Sequence, residues 1–173
     1  MKSVQLIRIR QSGPIADFFR TRYPGFDYDP RKGAVEEWRR LCTEHLYINP
    51  DDSEEYRVRE SRRSLRTAMV RQFNERFGVD DHSLLAWQAL CMKINIAVPD
   101  DIAECKKALF RTHVNLVDLT EMEEGDPPPF KFPTVKALSE YSKATLKIFP
   151  RDHVEAGSLL KTLLRQINKP PPS

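Results

Sequence analysis

The amino-acid sequence predicts an all-α protein. The 173 residues include only six glycines, which disfavours a turn-rich β fold. Apolar residues recur at three- and four-residue spacing through most of the chain, and residues typical of helix starts precede several of these segments. We therefore expect one compact domain of about seven or eight helices over residues 14–168, preceded by an extended arm (1–13) and followed by a proline-rich tail (169–173).

The first residues alternate apolar and polar side chains between Val4 and Arg10. This pattern fits a short strand, a docked arm or a mobile lead-in, and we interpret it as an arm because an isolated strand is marginal in water. Ser12 before Pro14 predicts a first helix that ends near Tyr23.

A second helix is predicted at about residues 33–45. Its expected buried face consists of Val35, Trp38, Leu41 and Cys42. The opposite, charged side is expected to carry Glu36, Glu37, Arg39 and Arg40.

The third predicted helix is the longest. Ser53 is its expected N-cap, and Gly78 its expected C-terminal stop. Its apolar residues advance by fours at Leu65, Met69, Phe73 and Phe77.

Two further helices are predicted on either side of Pro99. The fourth covers about residues 83–95 and buries Trp87 and Cys91. Asp101 and Glu104 have the spacing of a capping box, which predicts the start of the fifth helix.

Three more helices are predicted in the C-terminal part of the chain. Asn115, with Asp118 three residues later, predicts a short sixth helix, although the β-branched Val114 and Val117 leave a strand as an alternative. Thr134 predicts the start of a seventh helix, and an eighth is expected at about residues 152–168. The expected inward face of the seventh consists of Val135, Leu138, Tyr141, Thr145 and Ile148.

Composition limits the cellular context and the strength of nonspecific electrostatics. The net charge is only +3, so attraction to a phosphate backbone would have to come from local clusters of charge. Cys42, Cys91 and Cys105 are odd in number and lie within apolar patterns, which favours reduced core thiols in an intracellular protein. No secretory signal or membrane-length apolar run is found, so we expect a cytoplasmic or nuclear location without membrane insertion.

Several blocks of the sequence resemble a group of uncharacterised fungal proteins. They are the run 87–119 with its block His-Val-Asn-Leu-Val-Asp-Leu at 113–119, Tyr28-Asp29-Pro30, Gln72-Phe73-Asn74, Phe132-Pro133, Tyr141, Phe149-Pro150 and the segment 157–165. The likeness extends from about Asp17 to Ile167. It implies a complete helical domain of fungal type, and it transfers no catalytic residue.

No motif of known enzymatic chemistry occurs in the sequence. There is no Gly-x-Ser-x-Gly, Walker or Gly-x-Gly-x-x-Gly motif, and Cys42-x-x-His45 is only half of a typical zinc site. His113, Asn115 and Asp118 form the most functional-looking polar cluster, which we interpret as capping around a helix start. We therefore expect no catalytic residues, no metal site and no cofactor.

Arginines are the main functional candidates. Arg59, Arg63 and Arg66 project to one flank of the third helix, where they could bind phosphates or an acidic partner surface. The competing interpretation is a solvated face that Glu54, Glu55, Glu60 and Glu75 partly neutralise. Arg62 projects near the apolar stripe, so we expect it to form an interhelical ion pair or to bind a carbonyl.

A second basic group lies around the fifth helix. Lys106, Lys107 and Arg111 are expected to point outward, and together with His113 they are further candidates for binding a partner. Asp100, Asp101 and Glu104 lie at the end where a DNA-recognition helix would meet its target, which disfavours that use.

The sequence favours a noncatalytic, intracellular protein-interaction or regulatory module that binds an acidic or amphipathic segment of a protein partner. Nucleic-acid binding through the arginine-rich third helix is the alternative.

Overall fold

A computed structural model describes residues 12–167 of the chain, with side chains through Arg165, and confirms the all-α fold class. This part of the chain contains eight α-helices and one π-helical segment, and its only β-type pairing is an isolated bridge between His113 and Phe132. The helices are α1 (Pro14–Arg22), α2 (Ala34–Arg40, continued by the π-helical Leu41–His45), α3 (Tyr56–Phe77), α4 (Leu84–Lys93), α5 (Ile102–Phe110), α6 (Leu116–Glu121), α7 (Val135–Thr145) and α8 (Ser158–Ile167).

The chain divides into two compact units, Met1–Gln72 and Phe73–Ser173, and the division falls within α3. Residues 1–11 and 168–173, which include most of the expected arm and all of the expected proline-rich tail, lie outside the described residues. A single domain over residues 14–168 therefore stays a prediction.

The core of the first unit is built on aromatic side chains. Phe19 is fully buried and stacks on Tyr28, with ring centroids 4.4 Å apart. The indole nitrogen of the buried Trp38 donates a hydrogen bond of 3.0 Å to Ser61, and the Ser61 hydroxyl in turn donates to the Val58 carbonyl. These bonds satisfy the polar groups that the packing of α2 against α3 takes away from water.

The charged side predicted for α2 is wrong at Glu37, which is fully buried. Its carboxylate accepts two hydrogen bonds from Arg40, of 2.9 and 2.8 Å, and a third of 2.8 Å from the backbone amide of Asp29. The Arg40 guanidinium also lies 4.4 Å from the ring centroid of Phe26. Three donors thus compensate the buried charge, and they join α2 to the turn that precedes it.

The predicted N-cap of the third helix is also wrong. α3 begins at Tyr56, not directly after Ser53. The carboxylate of Asp52 accepts hydrogen bonds from the amides of Glu54 and Glu55, and the carboxylate of Glu55 accepts one from the amide of Arg57. Asp52 therefore holds a separate turn before the helix, and Glu55, directly before Tyr56, caps the first turn of α3. The other end is confirmed, since Gly78 follows α3 in a left-handed conformation at φ 92°.

Local capping defines α4 to α7 in the second unit. Ser83, Asp101, Asn115 and Thr134 each accept a hydrogen bond from a backbone amide in the first turn of α4, α5, α6 and α7, respectively. The helical interpretation of residues 116–121 is therefore confirmed over the strand alternative. The capping residue Asn115 is itself buried.

The predicted inward face of α7 is correct at Leu138 and wrong at its two ends. Val135 is 38% exposed and Ile148 is 51% exposed. Leu146, at φ 58°, ends the helix by adopting a left-handed conformation. Ile148 consequently lies beyond the helix, where the periodicity of α7 no longer governs its direction.

α8 begins at Ser158, six residues later than its predicted start at 152. The hydroxyl of Ser158 and the amide of Leu159 both donate hydrogen bonds to the carbonyl of Val79, at 3.1 and 3.2 Å. Just before the helix, Gly157 approaches Val79 so closely that an added Cβ atom would lie 2.6 Å from its carbonyl oxygen. The start of α8 is therefore set by a tertiary contact that only glycine permits.

The Glu37 network predicts a sharp difference between two glutamates that contact the same arginine. Glu37→Gln should lower the free energy of unfolding by about 2 to 4 kcal/mol, because it removes a buried charge that compensates Arg40. Glu44→Gln should change it by less than about 0.5 kcal/mol, because the Glu44 side chain is 62% exposed. Urea denaturation of the two variants measures both effects, and equal losses would contradict the role assigned to Glu37.

Candidate interaction surface

The three arginines predicted as a partner site are exposed and lie along one side of α3. Arg59, Arg63 and Arg66 are separated by four and three residues, so the group extends about 10 Å along the helix axis. Tyr56, which is 66% exposed, lies three residues before Arg59 on the same side. We call Tyr56, Arg59, Arg63 and Arg66 the arginine face.

Two of the four glutamates that were expected to neutralise these arginines are engaged by other arginines. Glu60 pairs with Arg22 at 3.3 Å, and Glu55 pairs with Arg57 at 3.2 Å. Within residues 12–167, the guanidinium groups of Arg59, Arg63 and Arg66 form no ion pair and no hydrogen bond. The arginine face therefore carries three positive charges that this part of the chain does not neutralise.

Other arginines of α3 serve the fold. Arg62 donates a hydrogen bond of 2.9 Å to the carbonyl of Pro50 and lies 5.0 Å from the ring centroid of Trp38, so the expected carbonyl contact is confirmed. Arg76 donates to the carbonyl of Thr120 and pairs with Glu123 at 2.6 Å. These two side chains are partly buried and committed to contacts, in contrast to the arginine face.

The arginine face is confined to the first half of α3. Val70 projects in nearly the same direction as Arg59, Arg63 and Arg66, yet it is fully buried. The surface available to a partner on this side of the helix therefore ends about one turn after Arg66.

The second predicted group, Lys106, Lys107, Arg111 and His113, does not form one uniform outward cluster. Lys107 pairs with Glu104 at 2.9 Å. Lys106 is only half-exposed, with its ammonium 5.3 Å from the ring centroid of Trp87, so its outward prediction is partly wrong. Arg111 is exposed at the end of α5, and the carbonyl of the half-buried His113 accepts a hydrogen bond of 2.8 Å from the amide of Phe132.

A polar cluster not predicted from the sequence joins α6 to the end of α7. Asp118 accepts hydrogen bonds of 2.7 Å from both the Tyr141 hydroxyl and the Lys147 ammonium. The ammonium also donates to the Tyr141 oxygen at 3.0 Å. Lys147 lies 29 residues from Asp118 in the chain, so no helical spacing signals their contact.

The cluster holds tyrosine and lysine in their protonated forms. Burial raises the pKa of Tyr141 above its ordinary value. Burial alone would lower the pKa of Lys147, but hydrogen bonds to Asp118 and Tyr141 raise it. A tyrosine activated for proton abstraction would need a lowered pKa, so we interpret this cluster as a structural tie.

The three cysteines are free and buried, as the sequence predicts for core thiols. The Cys105 thiol donates a hydrogen bond of 3.6 Å to the carbonyl of Pro99, and burial raises the pKa of Cys91 to about 11. In residues 12–167, no group of three or more His, Cys, Asp or Glu side chains has an arrangement suited to a metal ion. None of the described helices is both long and apolar enough to cross a membrane.

Comparisons with protein-family models, with curated proteins and with solved structures find no match for this chain. The likeness to uncharacterised fungal proteins therefore stays a prediction.

The structural role of the Asp118 cluster predicts unequal effects of two lysine substitutions. Lys147→Met should lower the free energy of unfolding by about 1 to 3 kcal/mol, because it leaves the Asp118 carboxylate without its cation. Lys107→Met removes a pair in which the lysine is 62% exposed, and should cost less than about 0.5 kcal/mol. Urea denaturation of both variants measures the two losses. A loss for Lys147→Met no larger than that for Lys107→Met would contradict the structural role of the cluster.

The same interpretation predicts a pH dependence. Because the folded-state pKa of Lys147 lies above the ordinary value of 10.5, its stabilisation should be fully present below that pH. The stabilisation should then be lost as the pH rises through the folded-state pKa. The difference in unfolding free energy between wild type and Lys147→Met should accordingly change little between about pH 7 and 9 and shrink at higher pH.

Proposed function

We propose that the chain is a noncatalytic protein-interaction or regulatory module whose arginine face binds an acidic segment of a partner protein. The observation that carries this proposal is the absence, within residues 12–167, of any carboxylate paired with Arg59, Arg63 or Arg66, although neighbouring arginines are paired. Exposed guanidinium groups favour carboxylates, which they bind through two parallel hydrogen bonds.

The spacing of the arginines suggests the form of the partner. An acidic helix with carboxylates at positions i, i+4 and i+7 would present its charges over about the same 10 Å as the arginine face. Each exposed ion pair contributes only about 0.2 to 1 kcal/mol, so the complex should be weak and salt-sensitive unless other contacts add to it. The exposed ring of Tyr56 offers such a contact for an apolar residue beside the acidic positions.

Nucleic-acid binding remains the second candidate because Tyr56 lies beside the arginines. An aromatic ring next to guanidinium groups can stack on an unpaired base while the arginines bind phosphates. Single-stranded nucleic acid fits this arrangement better than a duplex, because its unpaired bases are free to stack on the tyrosine ring. The small net charge of +3 favours the protein partner.

Charge reversal of the arginine face tests the proposal. A synthetic helical peptide with glutamates at i, i+4 and i+7 should bind the wild-type chain, and the variant Arg59→Glu/Arg63→Glu/Arg66→Glu should bind at least about tenfold more weakly. A peptide of the same composition with its glutamates scrambled is the ligand control. Fluorescence anisotropy at low and high salt measures binding, and circular dichroism checks that the variant stays helical.

A second triple variant controls for total charge. Arg151→Glu/Lys161→Glu/Arg165→Glu changes the net charge equally at exposed positions of the second unit, and should keep peptide affinity. Equal loss in both variants, or no preference for the ordered peptide, would refute the proposal. Binding of single-stranded DNA that depends on the arginine face, without peptide binding, would establish the second candidate instead.

A further inference from the structure

A cleft in the second unit collects basic side chains from two parts of the chain. It has a volume of about 610 Å³ and is formed by the loop before α8 together with one side of that helix. Its lining residues are Arg151, Asp152, His153, Val154, Lys161, Leu164 and Arg165.

The cleft has an excess of positive charge. Arg151, Lys161 and Arg165 are exposed, and within residues 12–167 none of them is paired with a carboxylate. Asp152 contributes the one acidic side chain of the lining. Three cations against one carboxylate leave an excess of two positive charges.

Hydrogen bonds order the loop that forms one wall. The ring nitrogen Nδ1 of His153 accepts a hydrogen bond of 3.1 Å from the amide of Glu155. The carbonyl of His153 accepts another of 3.1 Å from the amide of Ala156. Because contacts with Val79 set the start of α8 directly after this loop, both walls are held in place before any ligand arrives.

The helical wall supplies both charge and apolar surface. Lys161 and Arg165 are one turn apart on α8, and the Nε atom of Arg165 donates to the Lys161 carbonyl at 3.4 Å. The buried Leu164 lies between them in sequence and lines the same cleft. Val154, which is 95% exposed, adds a second aliphatic contact from the loop.

We propose that this cleft binds a small molecule bearing a phosphate or diphosphate group. Its volume lies within the range of about 300 to 1,000 Å³ that small-molecule sites occupy. The excess of two positive charges matches a phosphate monoester or a diphosphate, and arginine binds phosphate oxygens through paired hydrogen bonds. Leu164 and Val154 provide apolar contact for the organic part of the ligand.

The same phosphate chemistry is found in free nucleotides and in the headgroups of anionic lipids. Titration calorimetry with ADP and with inorganic pyrophosphate tests the soluble form. Sedimentation with phosphatidylcholine vesicles that contain phosphatidic acid, against vesicles of phosphatidylcholine alone, tests the lipid form. Binding of ADP, of pyrophosphate or of the phosphatidic acid vesicles would support the site, and which of them binds identifies the source of the phosphate.

Substitutions that remove the positive charges test whether the probe binds in the cleft. Arg151→Gln/Lys161→Gln/Arg165→Gln should weaken binding of the active probe at least about tenfold. The matched variant Arg59→Gln/Arg63→Gln/Arg66→Gln removes the same charge from the arginine face and should leave it unchanged. Asp152→Asn, which removes the one carboxylate of the cleft, should strengthen binding several-fold. This last variant keeps the test decisive if the triple variant fails to fold.

Three results would overturn the proposal. The first is no binding of any probe at millimolar concentration. The second is an equal loss in both triple variants, which would show attraction to total charge only. The third is displacement of the bound probe by sulfate at equal concentration, which would show an adventitious ion site. The cleft proposal does not rest on the proposed function, because the two involve different residues and different ligands.

Discussion

The first unit depends on the three hydrogen bonds that the buried carboxylate of Glu37 accepts. An unpaired charge in the interior would cost several kcal/mol, so its three donors must stay in place as long as the unit is folded. Arg40 supplies two of them while covering Phe26, and the amide of Asp29 supplies the third. Ion pairs also form at the start of α3, where Glu55 pairs with Arg57 and Glu60 pairs with Arg22. Because Glu55 and Glu60 are engaged in this way, neither of them forms an ion pair with the arginine face.

Features set by local chemistry could be predicted from the sequence. Asp101, Asn115 and Thr134 cap their helices as predicted, because a cap needs only its own side chain and the amides that follow it. Features set by distant contacts could not. Ser53 was an equally good cap by its type, but Asp52 holds a separate turn there and Glu55 caps the helix instead. Helical periodicity could not show that Glu37, whose type usually lies at the surface, is fully buried.

The two candidate sites differ in how much of them the sequence reveals. Arg59, Arg63 and Arg66 belong to one helix, so their common side follows from helical geometry alone. The engagement of their acidic neighbours involves Arg22 on α1, and it becomes visible only in three dimensions. The cleft combines Arg151 in a loop with Lys161 and Arg165 on α8. The eighth helix was predicted to begin at residue 152, which would place most of that loop inside the helix. The sequence therefore did not indicate a cleft between the loop and α8.

The contact between the start of α8 and the loop after α3 also bears on how the chain folds. Ser158 and Thr162 are hydrogen-bonded to Val79 and Asp81, at sequence separations of 77 to 81 residues. Closing a loop of that length lowers the entropy of the chain before the stabilising contacts have formed. Contacts at such long sequence separation therefore slow folding. During synthesis from the N-terminus, the carbonyl of Val79 cannot accept its hydrogen bonds from Ser158 and Leu159 until that segment has left the ribosome. We therefore expect the second unit to complete its packing late, after the whole of α8 has been made.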